Sequence, residues 1–138
     1  TMLRLGRERD SLKVVDDQVG APTTAAELAR ATHAVVTGIV EGRFGSPPVW
    51  TGTYHMTCSG SISWCGFARA IFDRVKLLRG GKAPKVNPIT TSSYPTPAKR
   101  PLNSVLSNEK LHRHFGLRLA PWEQALDEVL AAIAMPQA

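Results

Sequence analysis

The sequence has no long apolar run. Nothing in it approaches the ~20 residues that a bilayer-spanning helix needs, so no membrane association is expected. Cysteine is scarce: Cys58 and Cys65 are the only two, and their spacing makes no CxxC. They read as reduced thiols of a cytoplasmic protein rather than as a disulfide framework. The N-terminal TMLRLGRERD is charged from its fourth residue and leads into neither an apolar run nor a cleavage site, so it is not expected to be a signal peptide. There is also no initiator methionine at position 1 and no cap ahead of the first helix, as expected if the sequence continues upstream of Thr1.

Chemical motifs are missing too. No GxGxxG follows a strand, so a dinucleotide pyrophosphate has no glycine turn to rest on, and there is no P-loop. Neither tyrosine has a lysine four residues later: Tyr54 has Cys58 there and Tyr94 has Ala98. The Tyr/Lys pair with which reductases protonate a carbonyl oxygen is therefore absent. His33 and His55 stand alone, and His112 and His114 fall on different helix faces, so no metal site is expected from them. Cys58 and the Ser59-Gly60-Ser61 turn lack the strand–elbow–helix context that exposes a nucleophile, and read as a loop before a helix.

What remains is a globular chain of 138 residues, 43% hydrophobic and 20% charged, with a net charge of +6. One domain, or a large piece of one, is expected, and a chain of this size buries roughly 70% of its extended surface. Basic residues gather at Lys76, Arg79, Lys82 and Lys85, and again at Lys99, Arg100, Lys110, Arg113 and Arg118. Lys76 and Arg79 fall in the last turn of a predicted helix, where cations suit the dipole. No aromatics interleave with that cluster, so nucleic acid is not expected as a partner. The second cluster suits a small anion.

Patterning predicts an α/β chain rich in helix with a few short strands. Met2–Asp10 reads as the end of a helix and Leu12–Asp16 as a strand. Gly20-Ala21-Pro22 forces a turn. Thr24 and Glu27 form a capping box for a helix with Ala25, Leu28, Ala29, Thr32, Val35 and Val36 on one stripe and Gly38 as its stop. Arg43–Pro48 is a loop and Gly52–Thr57 a second strand. Ser63 caps a helix whose stripe is Trp64, Phe67, Ala68, Ile71, Phe72, Val75 and Leu78, ended by Gly80-Gly81. Lys85–Ile89 is a short strand bounded by Pro84 and Pro88, hence at an edge. Asn108–Phe115 is a helix stopped by Gly116. Pro121 opens the last helix, with Trp122, Ala125, Leu126, Val129, Leu130 and Ile133 inward.

Two segments stand out as a binding constellation. In Val14–Thr23 a strand runs into a Gly-Pro turn, where Asp17, Gln18 and Thr23 offer donors and acceptors suited to sugar hydroxyls or a base edge. In Thr91–Leu106 the stiff Tyr94-Pro95-Thr96-Pro97 presents an aromatic face with little entropy to lose. Lys99 and Arg100 follow, and Arg100 can fork two N–H donors onto a phosphate. On the residues alone a second reading stands beside this one: Tyr94–Pro101 ties a loop to the body, and Asp16 and Asp17 cap a turn.

The runs VVDDQVGAPT, GTYHMTCSGSISWCGFARAIF, PITTSSYPTPAKRPLNSVL and KLHRHFGLRLAPWEQAL, in this order and spacing, resemble the C-terminal half of the dTDP-4-dehydrorhamnose reductase family, which are extended short-chain dehydrogenases/reductases. The resemblance runs from Thr1 to about Leu130. It implies the substrate-binding lobe, with a strand and helices from the edge of the Rossmann sheet, of an enzyme that reduces dTDP-4-dehydro-L-rhamnose to dTDP-L-rhamnose with NADPH or NADH. The half holding the glycine turn, the catalytic Thr/Tyr/Lys set and most cofactor contacts is not in this sequence, so the chain alone is expected to be inert. By motif position Asp17, Gln18, Pro22 and Thr23 would lie at the cleft edge, facing Tyr94, Lys99 and Arg100. The resemblance further implies a homodimer. Some members hold Mg2+ with interface carboxylates; Glu27 matches one of these, whereas the last helix carries Ala131 and Ala132. A Rossmann sheet cut here would bare a strand edge and apolar surface around Leu12–Val15. The regulatory subunit of methionine adenosyltransferase is similar to the same family, and a non-catalytic binding module is the alternative function.

Overall fold

The structure is a computed structural model, and it describes residues 1–79 and 82–134. In chain order the elements are α1 (Met2–Glu8), β1 (Ser11–Val15), β2 (Val19–Gly20), α2 (Ala25–Val40), β3 (Ile62–Ser63), α3 (Trp64–Arg79), β4 (Lys85–Ile89), a 3-10 turn (Thr91–Ser93), α4 (Glu109–Phe115) and α5 (Trp122–Ala134). The helix-rich α/β pattern read from the sequence is the one observed. Among the described residues no helix is long and apolar enough to cross a membrane. The chain forms two compact units.

The first unit comprises Thr1–Gly20, Ser61–Val105 and the chain from Leu126 onward. Its centre is a parallel pair, β1 with β4, in which Leu12 lies opposite Val86 and Val14 opposite Pro88. Alternation along β1 sends Leu12 and Val14 inward, where they meet Cys65, Ala68 and Phe72 of α3, with Met2 and Leu5 of α1 packed against the cluster. Burying each large side chain of this kind contributes about 1.5–3 kcal/mol before entropy is counted. The apolar surface expected to be bare around Leu12–Val15 is therefore covered, with Leu12 only 5% exposed. Pro88 stands inside β4 rather than bounding it. Having no N–H, it is tolerated because β4 pairs with β1 alone among the described residues.

Ser63 accepts from the Gly66 N–H at 2.9 Å and so caps α3 as its position predicts. The inward face of α3 is narrower than the predicted stripe. Cys65, Ala68, Ile71 and Phe72 are buried, whereas Trp64 and Leu78 are half exposed. The proposed Gly80-Gly81 stop lies outside the described residues.

The second unit, Ala21–Gly60 with Leu106–Ala125, has its own core of Ala31, Leu111, Phe115 and Leu119. Thr24 caps α2 by accepting from the Glu27 N–H. The capping box is only half formed, because the Glu27 carboxylate turns away to bond Arg30 and the Ala120 N–H. The buried face of α2 also differs from the predicted stripe. Glu27, Ala31 and Gly38 face inward, while Leu28 and Val36 are exposed. Nor does Gly38 stop the helix, which runs on to Val40. Its missing Cβ leaves the space that the Phe44 ring fills.

Residues Gly52–Thr57 form no strand, contrary to their alternating pattern. Their backbone is tied by side chains instead of a neighbouring strand. Asn108 accepts from the Thr57 N–H and donates to the Thr57 carbonyl at 2.7 Å, and Lys110 donates to the Thr53 carbonyl at 3.0 Å. Helix α4 ends at Gly116 in the left-handed conformation, φ 66°, as predicted. Pro121 sits one position ahead of α5, its carbonyl accepting from the Ala125 N–H. On α5 Trp122, Ala125, Leu126 and Leu130 are buried, but Val129 and Ile133 are partly exposed.

Candidate functional site

Five consecutive residues, Asp16–Gly20, hold both ends of the loop that carries Tyr94, Lys99 and Arg100. At the first end the Asp16 N–H donates to the Ile89 carbonyl at 2.9 Å, continuing the β1–β4 ladder. The Asp17 carboxylate accepts the Thr91 N–H at 2.9 and 3.0 Å and the Thr91 hydroxyl at 2.7 Å. Gln18 donates its Nε2–H to the same hydroxyl at 3.1 Å. At the second end the Val19 N–H donates to the Leu102 carbonyl at 2.8 Å. The Val19 carbonyl accepts the Ser104 N–H at 2.9 Å and its hydroxyl at 3.1 Å. Next to it, a Cβ on Gly20 would lie 2.9 Å from the Ser104 hydroxyl, so glycine lets this end close up.

The other side of the five-residue segment is held as well. Val19 and Gly20 pair antiparallel with Ser63 and Ile62, and the Trp64 N–H donates to the Gln18 carbonyl at 3.3 Å. The Asp16 carboxylate accepts from the Ser63 hydroxyl. The result is an arch from Thr91 to Ser104 fixed at two feet, with its span in solvent.

Every residue from Ser92 to Ser107 is exposed. Tyr94 is 59% exposed and follows directly on the 3-10 turn, its N–H donating to the Thr91 carbonyl at 3.0 Å. Farther along, the Thr96 hydroxyl donates to the Ala98 carbonyl at 2.8 Å and so stiffens the Pro-Thr-Pro stretch. Lys99 and Arg100 form no ion pair among the described residues. An exposed, braced loop with one aromatic face and two unpaired cations can receive an anion that also carries a ring.

Of the sequence-predicted residues, the structure therefore brings Asp17 and Gln18 to the foot of the arch and Tyr94, Lys99 and Arg100 onto its span. Thr23 belongs to the second unit. Its hydroxyl donates to the Ala21 carbonyl at 3.0 Å and accepts the Cys58 N–H at 3.1 Å. Sequence reasoning missed Thr91 and Ser104. Nothing in their spacing connects them to a segment more than 70 residues away, and the only local signal is a run of hydroxyl residues following a strand.

The electrostatics follow from these bonds. Hydrogen bonds from the Thr91 hydroxyl, then from its N–H, hold the Asp17 carboxyl below the usual carboxylate range. The Ala120 N–H, with Arg30 beside it, does the same for Glu27. Burial pushes both thiols, Cys58 and Cys65, above their ordinary value, and both are free. These are inert, packed cysteines.

Two implied groups can be tested against these residues. For Mg2+, Glu27 is a poor fit within one chain: Oε1 is held by Arg30 and Oε2 by the Ala120 N–H, and no three metal-ligating side chains converge among the described residues. For a nicotinamide dinucleotide, β1 leads into Asp16-Asp17-Gln18 instead of a glycine turn, so the pyrophosphate has no cradle there.

Comparison with known proteins agrees with this picture. The family model for the RmlD substrate binding domain matches residues 1–135. The dTDP-4-dehydrorhamnose reductase of Burkholderia thailandensis is 47% identical over 131 residues, which are 91% of this chain and 43% of that protein. Among solved structures, a dTDP-4-dehydrorhamnose reductase from Clostridium acetobutylicum superposes with a TM-score of 0.77 at 40% identity, covering 97% of this chain and 42% of its own. The Bacillus anthracis dTDP-4-dehydrorhamnose reductase, solved in complex with NADP, gives 0.76 at 30% identity, covering 95% of this chain and 41% of its own. The chain thus spans less than half the length of the relatives it matches. Its sequence, its fold and the extent of the match all place it in one family: the chain belongs to the RmlD substrate binding domains.

Proposed function

We propose that this chain is the dTDP-sugar-binding part of an NAD(P)H-dependent reductase that converts dTDP-4-dehydro-L-rhamnose to dTDP-L-rhamnose. The observation that carries the reading is the arch: a loop braced at both feet that displays Tyr94, Lys99 and Arg100 to solvent. In this reading Arg100 forks onto the diphosphate, Lys99 adds a second cation, and Tyr94 offers its ring to the thymine or the sugar. Asp17 and Gln18 shape the ground on which the arch stands. The nicotinamide, held by residues outside this sequence, supplies the hydride. The residues of this chain bind and orient the sugar, so the 138-residue chain alone oxidises no NADPH; turnover by that chain would contradict the proposal. Support comes from the family match and from the NADP complex of the Bacillus anthracis relative.

The test is a calorimetric titration of the full-length protein with dTDP. Charge-assisted bonds to phosphate are worth about 1.5–3 kcal/mol each. Arg100→Ala is therefore expected to weaken dTDP binding by at least ~1.5 kcal/mol, about tenfold, with the fold unchanged. Equal affinity in the variant removes Arg100 from the site.

A further inference from the structure

We infer that Asp17 and Gln18 are positioning residues that act on a bound ligand only through Thr91, and that Thr91 is the hub setting the direction in which the arch leaves the sheet. This rests on the arch being the ligand-binding loop. A hydroxyl carries one proton, and the geometry fixes where Thr91 spends it. Its oxygen lies 2.7 Å from Asp17, which as a carboxylate can only accept. It lies 3.1 Å from Gln18 Nε2, which can only donate. The chain of bonds therefore runs one way, from Gln18 through Thr91 to Asp17. Gln18 is 8% exposed, and it donates an Nε2–H to this chain of bonds. Both Asp17 oxygens are already engaged by Thr91, Oδ1 by its N–H and hydroxyl and Oδ2 by the same N–H.

The clasp matters because Thr91 starts the 3-10 turn. The Tyr94 N–H closes back onto the Thr91 carbonyl, so fixing Thr91 fixes the exit of Tyr94. From there the span carries Lys99 and Arg100 before the chain is caught again at Leu102 and Ser104. Loosening the first foot misplaces all three display residues at once without touching any of them.

The experiment uses the full-length protein with Asp17→Ala, Thr91→Val, Thr91→Ser and the double variant Asp17→Ala/Thr91→Val. Two quantities are read: hydrogen exchange at the Ser93 and Tyr94 amides, and affinity for dTDP. Exchange is expected to quicken in Asp17→Ala and Thr91→Val and to stay near wild type in Thr91→Ser, which keeps the hydroxyl. Affinity is expected to fall roughly three- to tenfold in either single variant, and the double variant to lose less than the product of the two. Unchanged exchange in Asp17→Ala overturns the inference. So do affinity losses that multiply in the double variant, since Asp17 would then touch the ligand itself. Should Asp17→Ala fail to fold, Asp17→Asn keeps one acceptor oxygen and is expected to quicken exchange less. A wild-type protein that binds no dTDP would sink the nucleotide-sugar reading, while the exchange measurements would still decide the positioning role.

Discussion

Asp17 takes both the backbone N–H and the hydroxyl of Thr91, a residue 74 positions away in sequence, and this pair sets one foot of the exposed arch. The bond is made by an ionised carboxylate whose titration lies below its ordinary range. Its contribution is therefore full above the ordinary carboxylate value, about 4, and is lost as pH falls through the lower folded-state value. Comparison of wild type with Asp17→Asn by thermal unfolding is expected to show the widest gap near pH ~6 and a closing gap below about 4. A gap independent of pH would mean that the charge of Asp17 does not matter to the foot.

Glu27 performs a similar task in the second unit. It is 6% exposed, is ion-paired with Arg30, and accepts the Ala120 N–H at 2.8 Å. Glu27→Ala strips the partner from a backbone donor and is expected to cost about 1.5–3 kcal/mol in urea unfolding. Glu27→Gln retains an acceptor for Ala120 and is expected to lose less. Equal losses in the two variants would contradict this assignment. Because the Glu27 carboxyl also titrates low, its contribution too disappears on acidification, not on raising the pH.

The Phe44 ring occupies the space that a Cβ on Gly38 would need, and Phe44 in turn meets Phe115 edge-on with ring centroids 4.9 Å apart. Helix propensity favours alanine there by roughly 1 kcal/mol. Overpacking against a ring already wedged costs typically 1–3 kcal/mol. The clash is expected to win, so Gly38→Ala should destabilise the protein, and adding Phe44→Leu should restore much of the loss. A stabilised Gly38→Ala would show that the ring has room to move.

How far the sequence could be read depended on the range of the interactions. Local signals held: Ser63 capping α3, Gly116 ending α4, and the β-branched alternation of β1. Misreadings came where a distant partner changed the local outcome. Gly52–Thr57 alternates like a strand, yet its backbone is bonded by Asn108 and Lys110 and never meets a neighbouring strand. The Glu27 carboxylate bonds Ala120 instead of closing its capping box, and the buried face of α2 holds Glu27, Ala31 and Gly38 rather than Leu28 and Val36. Gly38 read as a stop because glycine often is one, whereas here its use is close packing.

The candidate site divides in the same manner. Tyr94, Lys99 and Arg100 stand out in the sequence because proline-stiffened loops bearing an aromatic and adjacent cations are unusual as plain connectors, and the structure leaves all three exposed. The bonds of Asp17 and Gln18 do not stand out, since a carboxylate and an amide at a bend serve equally to meet a ligand or to hold a loop. Only the position of Thr91 between them shows the bonds they make.

The central claim is that the arch receives the nucleotide sugar, and hydrogen exchange of the full-length protein with and without dTDP tests it most directly. Slower exchange across Tyr94–Val105 on adding dTDP, with the amides of α4 unchanged, is the result the account predicts. Protection confined to other parts of the chain, with the arch amides exchanging as before, would contradict it.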